Sequence, residues 1–147
     1  MQDVASELTA VLKETVPVLE ALSEAESRKD RGPGTWSRKE VLGHLIDSAL
    51  NNAHRFVRAQ QGPELVFPAY EQRFWVTTNG HQERPWPSLV ALWKELNGHV
   101  AHVISRIPAE RLGTPCRIGE GAPVTLEFIA RDYVTHLRHH LQQILAG

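Results

Sequence analysis

The stretch YVTHLRHHLQQIL, Tyr133 to Leu145, decides the reading of this chain. Stepping about 100° per residue from Leu126, the residues Leu126, Ile129, Ala130, Tyr133, Val134, Leu137, Leu141 and Ile144 gather on one face of a helix. His140 falls inside that apolar face, His136 lies at its edge, and His139 points away from it. His136 and His140 are four residues apart, so on a helix they stack one turn above the other and can share one metal ion. The same spacing also suits two core histidines satisfied by hydrogen bonds. On this stretch alone both readings stand.

Working outward, the helical period dominates. A first helix is expected from about Asp3 to Arg28, striped by Val4, Leu8, Val11, Leu12, Leu19 and Leu22, with Pro17 bending or dividing it. Lys29 to Thr35, rich in Gly and Pro, reads as a loop. The second helix starts at Ser37, where Ser37 and Glu40 form a capping box and Trp36 with Val41 a hydrophobic staple; it should run to about Gln60. The third is expected over Ser88 to Ile107 with Ser88 as its cap, and the fourth over Thr125 to Leu145 with Thr125 as its cap. Between the second and third helices lies a long irregular stretch, Gly62 to Pro87, holding Phe67, Tyr70, Phe74, Trp75 and Trp86. A short helix near Ala69 to Thr77, then a turn at Asn79-Gly80, is expected there. Its aromatics read either as a lid over part of the bundle or as plugs sealing the ends of the core. A small hairpin is expected around Gly119 to Gly121. One all-α, four-helix-bundle domain over residues 1–147 follows, with a long loop between its second and third helices.

Composition narrows the function. The 147 residues are enough to bury a sizeable core, and 41% apolar with 22% charged residues describes an ordinary soluble globule. Sixteen basic against seventeen acidic residues imply no basic surface for nucleic acid. No stretch approaches a membrane span, and MQDVASELTA has no basic region followed by an apolar run. A cytoplasmic protein is expected. The single cysteine, Cys116, forms no internal disulfide and lacks a recognisable histidine partner for nucleophilic catalysis. Eight histidines are many for this length, and the chemistry is sought among them.

A shared metal needs a third ligand, and the free candidates are His44, His54, His81, His99 and His102. Val41, His44, Ser48, Asn51 and Arg55 form one stripe of the second helix, roughly opposite its aliphatic face. Such a stripe is either the solvated side of the helix or, being mostly uncharged, the wall of a wet pocket roofed by the aromatic stretch. Asn51 and Arg55 are candidates for holding an anionic group in that pocket, although for Arg55 a surface or interface salt bridge is the favoured reading.

TWSRKEVLGHLIDSALNNAHRF, Thr35 to Phe56, followed much later by ARDYVTHLRHHLQQI, Ala130 to Ile144, resembles the DinB/YfiT-like superfamily, and more narrowly its DinB_2 branch. The resemblance covers nearly the whole chain: the Trp-Ser cap, a histidine on the second helix, a variable middle and H-x-x-x-H on the fourth. It implies a four-helix bundle that dimerises and a divalent metal, zinc or nickel, held by His44, His136 and His140. Three imidazoles leave positions open to water or substrate, as catalytic sites do. Asp132, one turn before His136, is a candidate to hold that ring's second nitrogen. Glu40 is committed to the helix cap.

Two activities follow from the resemblance. Some relatives activate a low-molecular-weight thiol, such as bacillithiol or mycothiol, for transfer; others carry the name of metal-dependent hydrolases. The absence of an obvious general base at a motif position favours the thiol S-transferase. A metal- or ligand-binding stress protein without turnover is the reading from a different class.

Overall fold

The computed structural model describes residues 1–146. Four long helices carry it: α1 Gln2–Ala21, α3 Arg38–Arg58, α5 Trp86–Ser105 and α6 Leu126–Leu145, with short helices α2 Glu24–Arg28 and α4 Gln72–Thr78 between them. α5 packs against α1 and α3, and α6 against α3 and α1, so the order around the bundle is α1, α5, α3, α6. The apolar stripes read from the sequence meet along its axis, where Leu8, Leu19, Leu42, Leu45, Trp93, Ile104, Leu126 and Leu137 are buried. The fold is all-α, as expected. No helix among the described residues is long and apolar enough to cross a membrane.

The first expected helix is in fact two. Pro17 is accommodated inside α1, and the break comes at Leu22, whose backbone is extended at ψ 138°. What ends α1 is a new start: the Ser23 side chain accepts a hydrogen bond from the Glu26 backbone N–H and caps α2. The same short helix holds Glu24, which pairs with the fully buried Lys39 ammonium and accepts the Trp86 backbone N–H at 2.7 Å. That carboxylate therefore ties α2 to the beginnings of both α3 and α5.

α3 begins as its sequence dictates. Ser37 accepts from the Glu40 backbone N–H, and Glu40 Oε1 accepts from the Ser37 backbone N–H. α5 starts at Trp86 rather than Ser88. Pro87 is tolerated in a first turn, where its missing N–H has no intrahelical acceptor. Ser88 does not cap α5; its hydroxyl donates back to the Pro85 carbonyl. α6 has the expected cap, Thr125, which accepts from the Phe128 backbone N–H.

The expected hairpin is present as β2 Pro115–Ile118 and β3 Val124–Thr125, paired antiparallel. A strand the sequence reading did not anticipate, β1 Leu65–Phe67, joins β2 in parallel with Leu65 opposite Cys116. This small sheet lies at the flank of the bundle, with β1 against α3 and β3 against α6. The aromatic stretch divides its labour. Trp86 is buried and donates its indole N–H to the Leu19 carbonyl, plugging the core. Tyr70 lines a cavity instead.

Candidate metal centre

His44 sits on the stripe of α3 that the helical pattern sets opposite the aliphatic face, yet it is fully buried. The cause is tertiary. α6 and the segment around α4 pack over that stripe, so nearly every side of α3 from Val41 to Ala49 is covered. Of the two sequence readings, the solvated face is excluded and the pocket wall is what the fold builds.

The cover brings together three imidazoles. One ring nitrogen from each of His44, His136 and His140 lies within 4.8 Å of the others. The ring centroids are 5.5 Å apart for His44 and His136, 4.7 Å for His44 and His140, and 4.4 Å for His136 and His140. His139 is exposed on the outer side of α6, as the helical phase requires.

The donor set fits a divalent ion. Neither ring nitrogen of the buried His44 has a hydrogen-bond partner among the described residues, although a buried N–H without one costs about 1–3 kcal/mol. Gln143 Oε1 lies 2.9 Å from His140 Nδ1, so that nitrogen donates and Nε2 presents a lone pair. Donors about 2.0–2.1 Å from one ion stand roughly 3–3.4 Å apart, and the 3.1 Å between the Nε2 atoms of His136 and His140 matches. Protonation opposes such binding, and the environment opposes protonation. Burial, then the nearness of His140 and His136, pushes His44 down to about 3. Burial first, then His140, lowers His136 against the opposing pull of Asp132; burial also lowers His140.

Trp36, at the entry to α3, touches the cluster. Its ring leans on His44 at 5.1 Å between centroids, with the Arg73 guanidinium over its face at 5.5 Å.

Two cavities reach the cluster. One, of about 320 Å³, includes His136 with Ser48, Asn52, Arg55, Tyr70 and Asp132. The other, of about 490 Å³, includes His140 with Arg31, Trp36, Val41 and Arg73. Of the two residues the sequence suggested for a substrate pocket, Arg55 lines the first cavity. Asn51 does not; its amide donates to the Asp47 carbonyl, and its neighbour Asn52 takes the place at the wall. Asp132 lines the same cavity as His136 but makes no hydrogen bond to it among the described residues, so the partnership the sequence suggested is not formed. Glu40 is spent on the helix cap. Cys116 is buried, and burial pushes its thiol pKa up, as befits an inert side chain.

Of the remaining histidines, His54, His99 and His102 are exposed. His81 is not. It is buried beside Asp47 with Nε2 3.0 Å from Oδ1, and the Asn79 amide donates to the same oxygen at 2.8 Å. The His81 ring lies where a Cβ on residue 43 would stand. The sequence did hold a signal for this contact: Gly43, a poor helix former, sits in the middle of α3.

Residues 7–144 match the DinB superfamily, and the chain belongs to it. Over 146 residues it is 24% identical to a Bacillus subtilis protein named "Putative metal-dependent hydrolase YfiT", covering 96% of this chain and 78% of that protein. Over 124 residues it is 24% identical to a Halalkalibacterium halodurans protein that carries the same metal-dependent hydrolase name, with coverage of 84% and 72%. Its fold superposes on the solved structure of YfiT from Bacillus subtilis with a TM-score of 0.80 at 23% identity, over 99% of this chain and 82% of that one. That structure is described as a probable metal-dependent hydrolase with an unusual four-helix bundle topology.

Proposed function

We propose that this chain holds a divalent metal, zinc or nickel, on His44, His136 and His140, and that it transfers a low-molecular-weight thiol to an electrophile. The observation that carries the transfer reading is the pair of cavities meeting the cluster from its two sides, one at His136 and one at His140. A transferase must hold two organic reactants at one centre, whereas hydrolysis needs one and water. When bound, the metal supplies a Lewis-acid centre that lowers the pKa of a coordinated thiol or water. The chain's own residues supply the rest. The Gln143 amide keeps the His140 Nε2 lone pair turned inward. Trp36 shields His44 from water. Asp132, exposed beside His136, is placed to receive the thiol proton and pass it to solvent.

The hydrolase reading has support of its own: the names of the two relatives, and that same Asp132 carboxylate, which would serve as base for an attacking water. The experiment is metal analysis of the purified chain, followed by assay of glutathione, bacillithiol and mycothiol against monochlorobimane. Expected is conjugation above the spontaneous rate, lost on chelation. Ester or amide cleavage without any thiol conjugation would replace the transferase by the hydrolase.

A further inference from the structure

We infer that the cavity beside His136 contains a subsite for the carboxylate of a small substrate, anchored by the Arg55 guanidinium. This rests on the proposed reading of the histidine cluster as the reactive centre.

Arg55 differs from the other part-buried arginines, Arg31, Arg38 and Arg111, each of which donates to a backbone carbonyl. The exposed Arg131 pairs with Asp3 and Glu127, and the exposed Arg138 with Glu7. Arg55 makes no salt bridge among the described residues. Its Nε is sealed from water without a partner, and its polar contact is a long one, 3.4 Å from Nη1 to Asn52 Oδ1. The Phe67 ring lies 5.7 Å from the guanidinium carbon and restricts how the side chain can turn. A half-buried cation without an ion pair, in the wall of a cavity, is incomplete until an anion arrives.

The position fixes what kind of anion fits. Arg55 follows His44 by eleven residues on α3, about 16 Å of helix rise, and helical side chains lean toward the N-terminus. The guanidinium therefore reaches back toward Ser48 and the histidines but stays well short of them. A ligand spanning the cavity would place its carboxylate on Arg55 and its reacting group several bonds away at His136. The flat guanidinium fork matches a carboxylate with two parallel hydrogen bonds. Asp132, the carboxylate in the wall, stands on α6 one turn from His136 and forms no ion pair with Arg55.

The test uses the full chain after EDTA treatment, so that no carboxylate–metal contact contributes. Calorimetric titration would compare glutarate, its neutral diamide glutaramide and inorganic phosphate against wild type, Arg55→Gln and Arg55→Lys. Thermal denaturation and metal content would be measured on each variant. We expect saturable glutarate binding, at least tenfold weaker binding of glutaramide, and at least a tenfold loss with Arg55→Gln that Arg55→Lys only partly restores. Ligand-free Arg55→Gln should melt at or above the wild-type temperature, because it removes an unpaired cation; a structural arginine would lower it. The subsite is overturned if glutarate shows no saturable binding, if Arg55→Gln binds it as wild type does, or if phosphate binds more tightly than glutarate. Failure of the metal reading shows elsewhere: His136→Ala would then retain one metal per chain whatever glutarate does.

Discussion

The Nε2 atoms of His136 and His140 face each other at 3.1 Å across one turn of α6. Two imidazole lone pairs do not face at that distance unless a proton or a cation lies between them. His136→Ala is therefore expected to abolish stoichiometric zinc or nickel binding, while helicity by circular dichroism stays close to wild type because His136 is only half buried. His139→Ala, on the outer face of the same helix, should retain one metal per chain. Tight metal binding by the His136 variant, measured by equilibrium dialysis with elemental analysis, would refute the three-histidine centre.

Acid should weaken the metal-free fold earlier than its carboxylates alone require. His44 is held near 3 in the folded chain against 6.5 for a free imidazole, chiefly by burial. The folded state thus binds fewer protons than the unfolded state between those values. Its contribution is fully present above pH 6.5 and is lost as pH falls toward 3. His136 and His140 are lowered and act in the same direction. Glu24 and Asp3, also lowered, add their losses only below their ordinary values of 4.5 and 3.8. In chelator the urea midpoint should therefore fall from pH 6.5 to 5, and His44→Leu should flatten that limb. An unchanged slope in the variant would contradict the assignment.

What could be read from the sequence was whatever short-range spacing controls. The phase of α6, the capping box at Ser37 and the cap at Thr125 are local, and the structure keeps all of them. The fate of His44 is not local. Its stripe suits a solvated face as well as a pocket wall; the family resemblance names His44 a ligand, but only the packing of α6 and the α4 segment over α3 makes the stripe an interior wall. The same limit hid β1, whose parallel pairing to β2 joins residues some fifty positions apart. The break at Leu22 was readable: Ser23 and Glu26 repeat the S-x-x-E spacing that revealed α3, but the apolar stripe running through Leu22 masked it.

A homodimer is expected, and the structure shows which apolar side chains are free to form it. The family resemblance implies a dimer without saying which face makes it. In the fold, α5 spends its stripe on α1 and α3, and the exposed apolar side chains include Leu50 and Val57 of α3, Val66 of β1 and Phe74 of α4. Sedimentation equilibrium at micromolar concentration should give twice the chain mass of 16.5 kDa. Val57→Glu should shift that equilibrium toward the single chain. A wild-type species of one chain mass throughout would sink the expectation.

Gly43 and His81 should behave as one unit. A Cβ at position 43 would stand 2.6 Å from the His81 Cβ and closer still to its ring, so Gly43→Ala must drive the imidazole out of its place. That displacement separates His81 from Asp47, whose Oδ2 already lacks a partner among the described residues. It also loosens the Asn79–His81 segment where it crosses α3. Overpacking of this kind costs about 1–3 kcal/mol, and disturbing the buried Asp47 contacts adds to it. Alanine is otherwise the better helix former, by about 1 kcal/mol over glycine, so without the clash the substitution would stabilise α3. The double mutant separates the two effects. In a His81→Gly background both the ring and the Cβ that block residue 43 are gone, and Gly43→Ala should become neutral or stabilising, leaving a coupling of about 1–3 kcal/mol between the sites in urea denaturation. Additive losses would mean that Gly43 is required for some reason other than the His81 side chain.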